Sequence, residues 1–355
     1  MPPQNAPRIL IIRRRYLGDV VLLGALLRNL RLHWPGAVLA VLVEPGFAEA
    51  LSLNTDVDQV IPTPAGVRAF PGFMRAVRNA RFTHVLDLDN TEQTALVARL
   101  SGADVRVGLH HGSLRLKLPF AYTHRVHDPA DRHETSPLSE YYLRALDPLG
   151  VPVASRDIRL EPHEADVLAL RRFVGASSRV LLVHPGSRSP SRLWPAERFA
   201  TVIDHAQDEL DAQVILTGGP ADAAILDAIR QRVRTHLLNP PGPASLFQFA
   251  ALARLSDAVL CHDSGPMHVA AAVGTPVIAL YGSQNVMLFR PAGPRHTVLQ
   301  PPLPCTSCVA PQECDPSDSY RSQCVRNISV DRVIDAVTAT LAAARMPSPT
   351  STAAP

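Results

Sequence analysis

Short apolar runs alternate with amphipathic segments from the start of the chain. Arg8 to Ile12, Val38 to Val43 and Val85 to Leu88 are apolar stretches of the length expected for buried strands. Val20 to Leu32 carries apolar residues around a helix, and another helix is predicted to end at Leu100. Repeated strand–helix alternation predicts an α/β fold, with a parallel sheet covered by helices on both faces.

The same alternation begins again in the second half of the chain. Arg179 to Val183 and Val214 to Leu216 predict strands, and the segment that begins at Pro195 predicts a helix with one apolar face. Two Rossmann-like domains are therefore expected. They would face one another across a cleft between the carboxyl ends of their sheets, where ligands bind in such folds.

A polar stretch between residues 155 and 178 is expected to separate the two domains. We assign residues 8–160 to an N-terminal domain and 175–340 to a C-terminal domain. The last residues, 346–355, are rich in Pro, Ser, Thr and Ala and are predicted to be disordered.

The segment from Ser256 to Ser283 carries the most specific pattern, SDAVLCHDSGPMHVAAAVGTPVIALYGS. It predicts a strand, a polar turn at 262–266, a small-residue helix at 267–273 and a second strand. Free N–H groups at a helix start bind anions, and Ser264 and Gly265 would let a phosphate approach the backbone. The alternative is an ordinary turn in which Asp263 caps the helix.

Three other places carry groups suited to chemistry. Asp19 opens a predicted helix, either as its N-cap or as a general base at the tip of the first strand. In the loop at 187–194, Arg188 and Arg192 could hold diphosphate oxygens and Ser187 could donate a hydrogen bond; the alternative is a solvated basic loop. Asp222 follows Gly218-Gly219-Pro220 and either accepts from ribose hydroxyls or caps the next helix.

Composition narrows the class of protein. The net charge is only +3 and aromatic residues make up 5%, so nothing favours a nucleic-acid partner. The N-terminus MPPQNAP does not resemble a signal peptide, and no apolar run reaches the length of a membrane span. A cytoplasmic enzyme is the expectation.

Two segments between 67 and 125 combine basic and apolar residues. Their composition suits an anionic, phosphorylated glycolipid at a membrane surface, although an exposed amphipathic helix with a basic loop would have the same pattern. The first contains Arg68, Arg75, Arg78 and Arg81 with Phe70, Phe73, Met74 and Val77, and the second contains His110, His111, Arg115, Lys117 and His124.

Four cysteines follow the spacing C-x2-C-x5-C-x9-C. Cys305, Cys308, Cys314 and Cys324 could hold a structural zinc ion as thiolates, or remain free thiols in a reducing cytoplasm. A fifth cysteine, Cys261, lies in a predicted strand and is expected in the core.

Taken together, HPGSRSPSRLWPAERFA, ILTGGPAD and SLFQFAALARLSDAVLCHDSGPMHVAAAVGTPVIALYG resemble the lipopolysaccharide heptosyltransferases of glycosyltransferase family 9. Leu17 to Val20 is similar to the N-terminal signature of that family, and the resemblance runs from Arg8 to Val337. It implies a GT-B fold and an inverting transfer of heptose from ADP-heptose to the inner core of lipopolysaccharide, without a required cofactor or metal. It also implies an acceptor-binding N-terminal domain, a donor-binding C-terminal domain and a peripheral location on the cytoplasmic face of the inner membrane.

The resemblance also implies roles for single residues. Asp19 falls on the catalytic base of the family, Asp222 on its acidic ribose contact, and Arg192 where the family usually has Lys beside Trp-Pro. The chain departs from the family at Tyr281 to Asn285, where Gly-Pro-Thr is common. The implied donor diphosphate loop consists of Asp263, Ser264, Gly265, Pro266, Met267 and His268.

Three alternatives remain open at this point. A member of the same family could use another nucleotide sugar or another glycan acceptor. A GT-B nucleotide-sugar epimerase would release its product without an acceptor. A two-domain sugar- or nucleotide-binding protein would show no turnover, although Asp19 and Arg192 argue against it.

Overall fold

The structure, a computed structural model, describes residues 6–174, 179–188, 192–240, 244–282, 284–301 and 324–344. The chain forms two compact units. The first runs to Glu161 and includes Met287–Arg290, and the second comprises Pro162–Val286 and the residues from Pro291 onward. The predicted tail at 346–355 lies outside the described residues.

The first unit contains a six-stranded parallel sheet in the order β3-β2-β1-β4-β5-β6. Its strands are β1 (Arg8–Ile12), β2 (Val38–Val43), β3 (Gln59–Pro62), β4 (His84–Asp87), β5 (Val105–His111) and β6 (His124–Asp128). Its helices are α1 (Leu17–Leu22), α2 (Gly24–His33), α3 (Ala48–Ser52), α4 (Phe70–Asn79), α5 (Glu92–Leu100), α6 (Ala130–Thr135) and α7 (Leu138–Leu143).

Strand β1 lies in the middle of this sheet, which explains its sequence. Ile9 pairs in register with Leu39 on one side and with His84 on the other. Ile9, Leu10, Ile11 and Ile12 have no exposed surface. A central strand covered on both faces needs apolar residues at every position rather than at alternate ones.

The second unit contains a five-stranded parallel sheet in the order β11-β10-β9-β7-β8. Its strands are β7 (Val180–His184), β8 (Gln213–Leu216), β9 (Ala258–His262), β10 (Val277–Leu280) and β11 (Thr297–Leu299). The remaining helices are α8 (Glu164–Val174), α9 (Ala196–Asp208), α10 (Ala223–Arg230), α11 (Leu246–Arg254), α12 (Gly265–Ala272), α13 (Val286–Phe289) and α14 (Val330–Ala343).

Helix starts differ from the sequence prediction at two places. The helix predicted from Val20 begins at Leu17 and is interrupted at Leu23, so Asp19 occupies its first turn and not its N-cap. The helix predicted from Met267 begins at Gly265, and its N-cap is Ser264 rather than Asp263. Each predicted start was too late because apolar periodicity becomes visible only after the first polar turn.

The predicted α/β class with parallel sheets is confirmed in both units. Among the described residues, no helix combines the length and the apolar character that crossing a bilayer requires.

Candidate active site

The strand order of the first unit brings the ends of β1, β4 and β5 to neighbouring positions at one edge of the sheet. The loop before α1 follows β1, residues 88–91 follow β4, and His110 and His111 are the last residues of β5. Ligands of α/β proteins bind at this carboxyl edge. It is therefore the part of the first unit in which chemistry is expected.

Three groups hold the carboxylate of Asp19. The Arg13 guanidinium forms an ion pair with Oδ1, and the Tyr142 hydroxyl donates to the same oxygen at 3.3 Å. The Tyr16 backbone N–H donates to Oδ2 at 2.9 Å, so Asp19 satisfies a free donor at the start of α1. The side chain remains 15% exposed. Asp19 thus has a structural role in the helix start and still reaches solvent.

Arg13 links Asp19 to a second acid. Its Nη1 lies 3.4 Å from Oδ1 of Asp89 and donates to the Leu88 carbonyl at 3.1 Å, and its guanidinium lies 5.5 Å from the centre of the Tyr142 ring. Burial acts against the charge of Arg13, but Tyr142, Asp19 and Asp89 outweigh burial and raise the pKa of Arg13 above its usual value. Burial also raises the pKa of Tyr142 well above its usual value, so its hydroxyl stays protonated.

Sequence analysis did not identify Arg13 or Tyr142 as site residues. Arg13 begins the run Arg13-Arg14-Arg15 directly after β1, and this position at a strand end was the available signal. Tyr142 lies on α7, 123 positions from Asp19, and gave no sequence signal for this contact.

Asp87 is a fully buried acid at the end of β4. It accepts from the Tyr122 hydroxyl at 2.7 Å and from the Asp89 N–H at 3.0 Å. Burial raises the pKa of Asp87 to about 6, against the opposing effect of these hydrogen bonds. A Cβ at Gly108 would lie 2.7 Å from the Tyr122 ring, so glycine is required for the ring to reach Asp87. This pair is part of the support beneath the site.

The two histidines at the end of β5 are packed rather than charged. His111 stacks on His133 with ring centres 3.7 Å apart, and Nδ1 of His133 lies 3.5 Å from Oδ2 of Asp128. Burial lowers the pKa of His111 to about 4, with a further contribution from His133, and burial also lowers the pKa of His110. At neutral pH these residues therefore do not add to the positive charge of the surface.

In the second unit, two hydrogen bonds anchor Trp194, which lies just before α9. The Trp194 backbone N–H donates to Nε2 of His262 at 2.8 Å, and the indole N–H donates to the Ile328 carbonyl at 3.0 Å. Trp194 is fully buried. Burial lowers the pKa of His262 to about 3, so its ring is neutral and can accept. The Trp-Pro corner is thereby anchored to β9, two residues after Arg192.

Arg192 lies against the turn that precedes α12. Its Nη1 is 3.4 Å from Oδ2 of Asp263 and 3.4 Å from the Asp263 backbone oxygen. Burial raises the pKa of Asp263 to about 6, although Arg192 acts in the opposite direction. The Arg192 side chain is 33% exposed while that of Asp263 is 8% exposed. Asp263 therefore holds a cation at the start of a helix, and the cation is the more accessible partner.

The other residues of the predicted diphosphate loop fall into two groups. Ser264 and Gly265 form the half-exposed start of α12, where Pro266 occupies the first turn and contributes no N–H. Met267 is fully buried, its sulfur accepts from the Tyr281 hydroxyl at 3.4 Å, and its N–H donates to the Ser264 carbonyl. The Met267 side chain is thus a core residue, and His268 is also buried.

Asp222 occupies the N-cap position of α10, but its carboxylate binds the preceding Gly219 instead of the N–H groups of that helix. Oδ2 accepts from the Gly219 N–H at 2.8 Å and lies 3.9 Å from Nε2 of His184. Burial lowers the pKa of His184, although Asp222 acts in the opposite direction. A Cβ at Gly186 would lie 2.2 Å from Oδ1 of Asp222, so this arrangement requires glycine there.

A pocket of about 250 Å³ lies next to Asp222, at the end of β8. Its lining includes Leu216, Thr217, Gly218, Gly219, Pro220 and Arg230. Oγ1 of Thr217 is buried and has no hydrogen-bond partner among the described residues. The glycines at 218 and 219 keep the wall free of side chains beside a polar group that lacks a partner. Sequence analysis did not predict this pocket.

Several predicted residues lie at the limit of the described chain. Ser187 and Arg188 lie three and four residues after the end of β7, and residues 189–191 lie outside the described residues. Cys305, Cys308 and Cys314 also lie outside, and Cys324 is buried. In the described part of the chain, no group of three or more His, Cys, Asp or Glu residues could hold a metal ion.

Comparison with known proteins identifies a family. The family model described as glycosyltransferase family 9 (heptosyltransferase) matches residues 72–316. The chain is 27% identical to lipopolysaccharide heptosyltransferase 3 of Escherichia coli K12, over 78% of this chain and 83% of that protein. It is 25% identical to lipopolysaccharide heptosyltransferase 2 of the same strain, over 94% of this chain and 98% of that protein.

Solved structures agree on the fold. A family 9 glycosyl transferase from Veillonella parvula aligns with a TM-score of 0.80 and 23% sequence identity. The alignment covers 96% of this chain and 100% of that chain. The E. coli ADP-heptose lps heptosyltransferase II aligns with a TM-score of 0.75 at 24% identity, over 96% and 100%. The GT-B class predicted from the sequence is confirmed.

Proposed function

Because the chain belongs to glycosyltransferase family 9 and is a glycosyltransferase, we propose that it transfers heptose from ADP-heptose to the inner core of lipopolysaccharide, with inversion. The observation that carries this proposal is the placement of Arg192 by Asp263 at the start of α12. A partly exposed guanidinium beside a helix N-terminus suits a diphosphate, since both supply fixed positive charge.

We assign the nucleoside part of the donor to a pocket in the same unit. The pocket at the end of β8 has a volume of about 250 Å³, which suits a purine with part of its ribose. Asp222 accepts from the N–H of Gly219, which lines the pocket, and its carboxylate would accept from ribose hydroxyls.

Asp19 would act as the general base. The acceptor hydroxyl oxygen attacks the anomeric carbon while the bond between that carbon and the diphosphate oxygen breaks, and the hydroxyl proton passes to Asp19. Arg13 and Tyr142 fix the carboxylate through Oδ1, and Oδ2 accepts a hydrogen bond from the Tyr16 N–H. One carboxylate oxygen thus retains capacity to accept a proton.

Negative charge develops on the departing ADP as this bond breaks. Arg192 and the N–H groups at the start of α12 are in place before the reaction, so they can stabilise that charge without rearrangement. These groups support the prediction that catalysis requires no cofactor or metal ion. The zinc alternative for Cys305, Cys308, Cys314 and Cys324 concerns structure only.

The names of the relatives support an acceptor from the lipopolysaccharide core. Two of them are named lipopolysaccharide heptosyltransferases, and one solved relative is named for ADP-heptose. We therefore propose that the acceptor is the lipid-linked, anionic inner core, and that the enzyme works in the cytoplasm as a peripheral protein on the inner membrane.

Mass spectrometry of the product tests this function. The enzyme is incubated with ADP-heptose and with inner-core acceptors that carry no, one or two heptoses. We expect one acceptor to gain a single heptose, and no change in the donor when acceptor is left out. Conversion of the donor without an acceptor would instead identify an epimerase or a hydrolase. Transfer from a different nucleotide sugar alone would overturn the donor assignment.

A further inference from the structure

Positive charge is concentrated in one part of the first unit. Residues 67–125 contain nine Lys or Arg and four Asp or Glu, whereas the rest of the chain contains 26 Lys or Arg and 28 Asp or Glu. Asp87 is buried, and the Asp89 side chain is 6% exposed and paired with arginines, so Glu92 and Asp104 are the exposed acids of this segment. Its exposed basic residues are Arg68, Arg75, Arg78, Arg81, Arg99, Arg115, Lys117 and Arg125.

The apolar residues exposed beside these charges are not the ones that the sequence suggested. Phe70, Phe73 and Met74 of α4 are partly buried and pack against the core of the first unit. Leu96 and Leu100 of α5 are instead 41% and 44% exposed, and Phe120 is 66% exposed. Leu96 and Leu100 are one helical turn apart and lie on the same outer face of α5.

Hydrogen bonds place cations beside these apolar residues. Arg78 donates to the Leu100 carbonyl at 3.5 Å, and Arg125 donates to the Pro119 carbonyl at 3.0 Å. The turn Pro119–Ala121, which carries Phe120, lies against α5. We call this surface the docking face. It consists of Leu96, Leu100 and Phe120, bordered by Arg78, Arg99, Lys117 and Arg125.

We propose that the docking face binds the surface of a bilayer that contains anionic phospholipids. Scattered apolar side chains ringed by Lys and Arg are the composition of interfacial membrane anchors, in which the apolar tips enter the headgroup boundary and the cations contact lipid phosphates. This inference rests on the proposed function, in which the acceptor lies at a membrane, and it adds the lipid surface that the enzyme would bind. Its test does not depend on sugar transfer.

Co-sedimentation of the full chain with vesicles tests the docking face. One set contains phosphatidylcholine alone, and the other also contains phosphatidylglycerol. At low salt we expect partition into the anionic vesicles to be at least about tenfold stronger, and to weaken as salt screens the charges. Equal partition into both kinds of vesicle, or none into either, would overturn the proposal.

Matched variants locate the binding surface. Arg99→Glu with Lys117→Glu should lower partition into anionic vesicles at least about tenfold, because two contacts become repulsive. Arg171→Glu with Arg172→Glu makes the same change of net charge on exposed residues of α8 and should leave partition unchanged. An equal loss in both double variants would show that net charge, and not the docking face, governs binding.

The apolar contribution is tested in the same way. Phe120→Ser should lower partition several-fold, whereas Leu168→Ser, at a residue 52% exposed on α8, should not. If Phe120→Ser partitions like the wild type, the proposal that the apolar residues of the docking face enter the bilayer surface is wrong. ADP binding by each variant reports that the chain is folded. Product analysis of the wild-type enzyme tests the transferase function separately, so the two proposals can fail independently.

Discussion

Arg13 and Asp19 form an ion pair at the end of β1, and Asp89 contacts the same guanidinium on its other side. One cation therefore connects the end of β1 with the end of β4, and it fixes the acid to which we assign the role of base. The position of the carboxylate depends on Arg13 as much as on the helix start.

Replacement of Arg13 should lower the rate of transfer without changing donor binding. Arg13→Met removes the ion pair and lets the Asp19 carboxylate move, which we expect to lower kcat about 10- to 100-fold, because small displacements of a reacting group are costly. Arg13→Lys should recover part of the rate, since it keeps a cation. The KM for the donor should change little.

Arg15→Met is the control for this experiment. Arg15 lies in the same run but pairs with Glu44 and is 48% exposed. Its replacement should leave kcat nearly unchanged. A fall equal to that of Arg13→Met would show that the run contributes through general charge and not through Asp19.

Gly186 is expected to control nucleoside binding through Asp222. Gly186→Ala places a methyl group against the Asp222 carboxylate and should weaken ADP binding by about tenfold, measured by calorimetry. Binding of inorganic pyrophosphate should be retained, because Arg192 and the start of α12 are untouched. Gly46→Ala, where no atom would lie within 4 Å of the new Cβ, is the control. Equal losses for ADP and pyrophosphate would contradict the ribose role of Asp222.

Arg192 should matter more for the reaction than for ADP binding. Arg192→Met removes charge that opposes the growing charge of the leaving diphosphate, so we expect kcat to fall about 100-fold or more. Affinity for ADP should fall less. Arg192→Lys should retain more activity than Arg192→Met. Comparable loss in the Lys variant would mean that the fork of the guanidinium, and not its charge alone, is required.

Asp87 should make stability depend on pH. Its pKa is about 6 in the folded protein against 3.8 for the reference group, so the folded state binds the proton more tightly. The stabilisation of the folded state by this tighter proton binding is fully present below pH 3.8 and is lost as pH rises through 6. By linkage, its size is about 3 kcal/mol.

Denaturant unfolding of the wild type and of Asp87→Asn between pH 4 and 7 measures this effect. Relative to Asp87→Asn, the wild type should lose free energy of unfolding as pH rises over this range, because the variant cannot ionise there. Parallel curves for the two proteins would show that Asp87 does not titrate in this window.

The order of strands and helices could be predicted because central parallel strands must be apolar at every position. Asp19, Arg192, Asp222 and the turn before α12 could be singled out because polar residues after such strands meet at one edge of a sheet. Helix starts could not be predicted in the same way. The first turn of α1 contains Gly18 and Asp19, which add nothing to the apolar periodicity by which a helix is recognised.

Other features required the tertiary structure. The apolar side of α4 has the same pattern whether it faces a core or a lipid surface, and only packing shows that Phe73 and Met74 face the core. The sequence also gave no sign that Tyr142 reaches Asp19, because the two residues meet only through folding. Met267 belongs to a recognisable motif, yet its side chain packs on Tyr281.

The role of Asp19 is tested most directly by a single-turnover measurement of heptose transfer by Asp19→Asn, beside ADP binding by the same variant. The asparagine keeps the size of the side chain and removes its ability to take a proton. We predict a rate at least about 100-fold below that of the wild type, with ADP affinity unchanged. Asp131→Asn, at an exposed acid of α6 in the same unit, should react at the wild-type rate. A near-normal rate for Asp19→Asn would contradict the assignment of Asp19 as the general base.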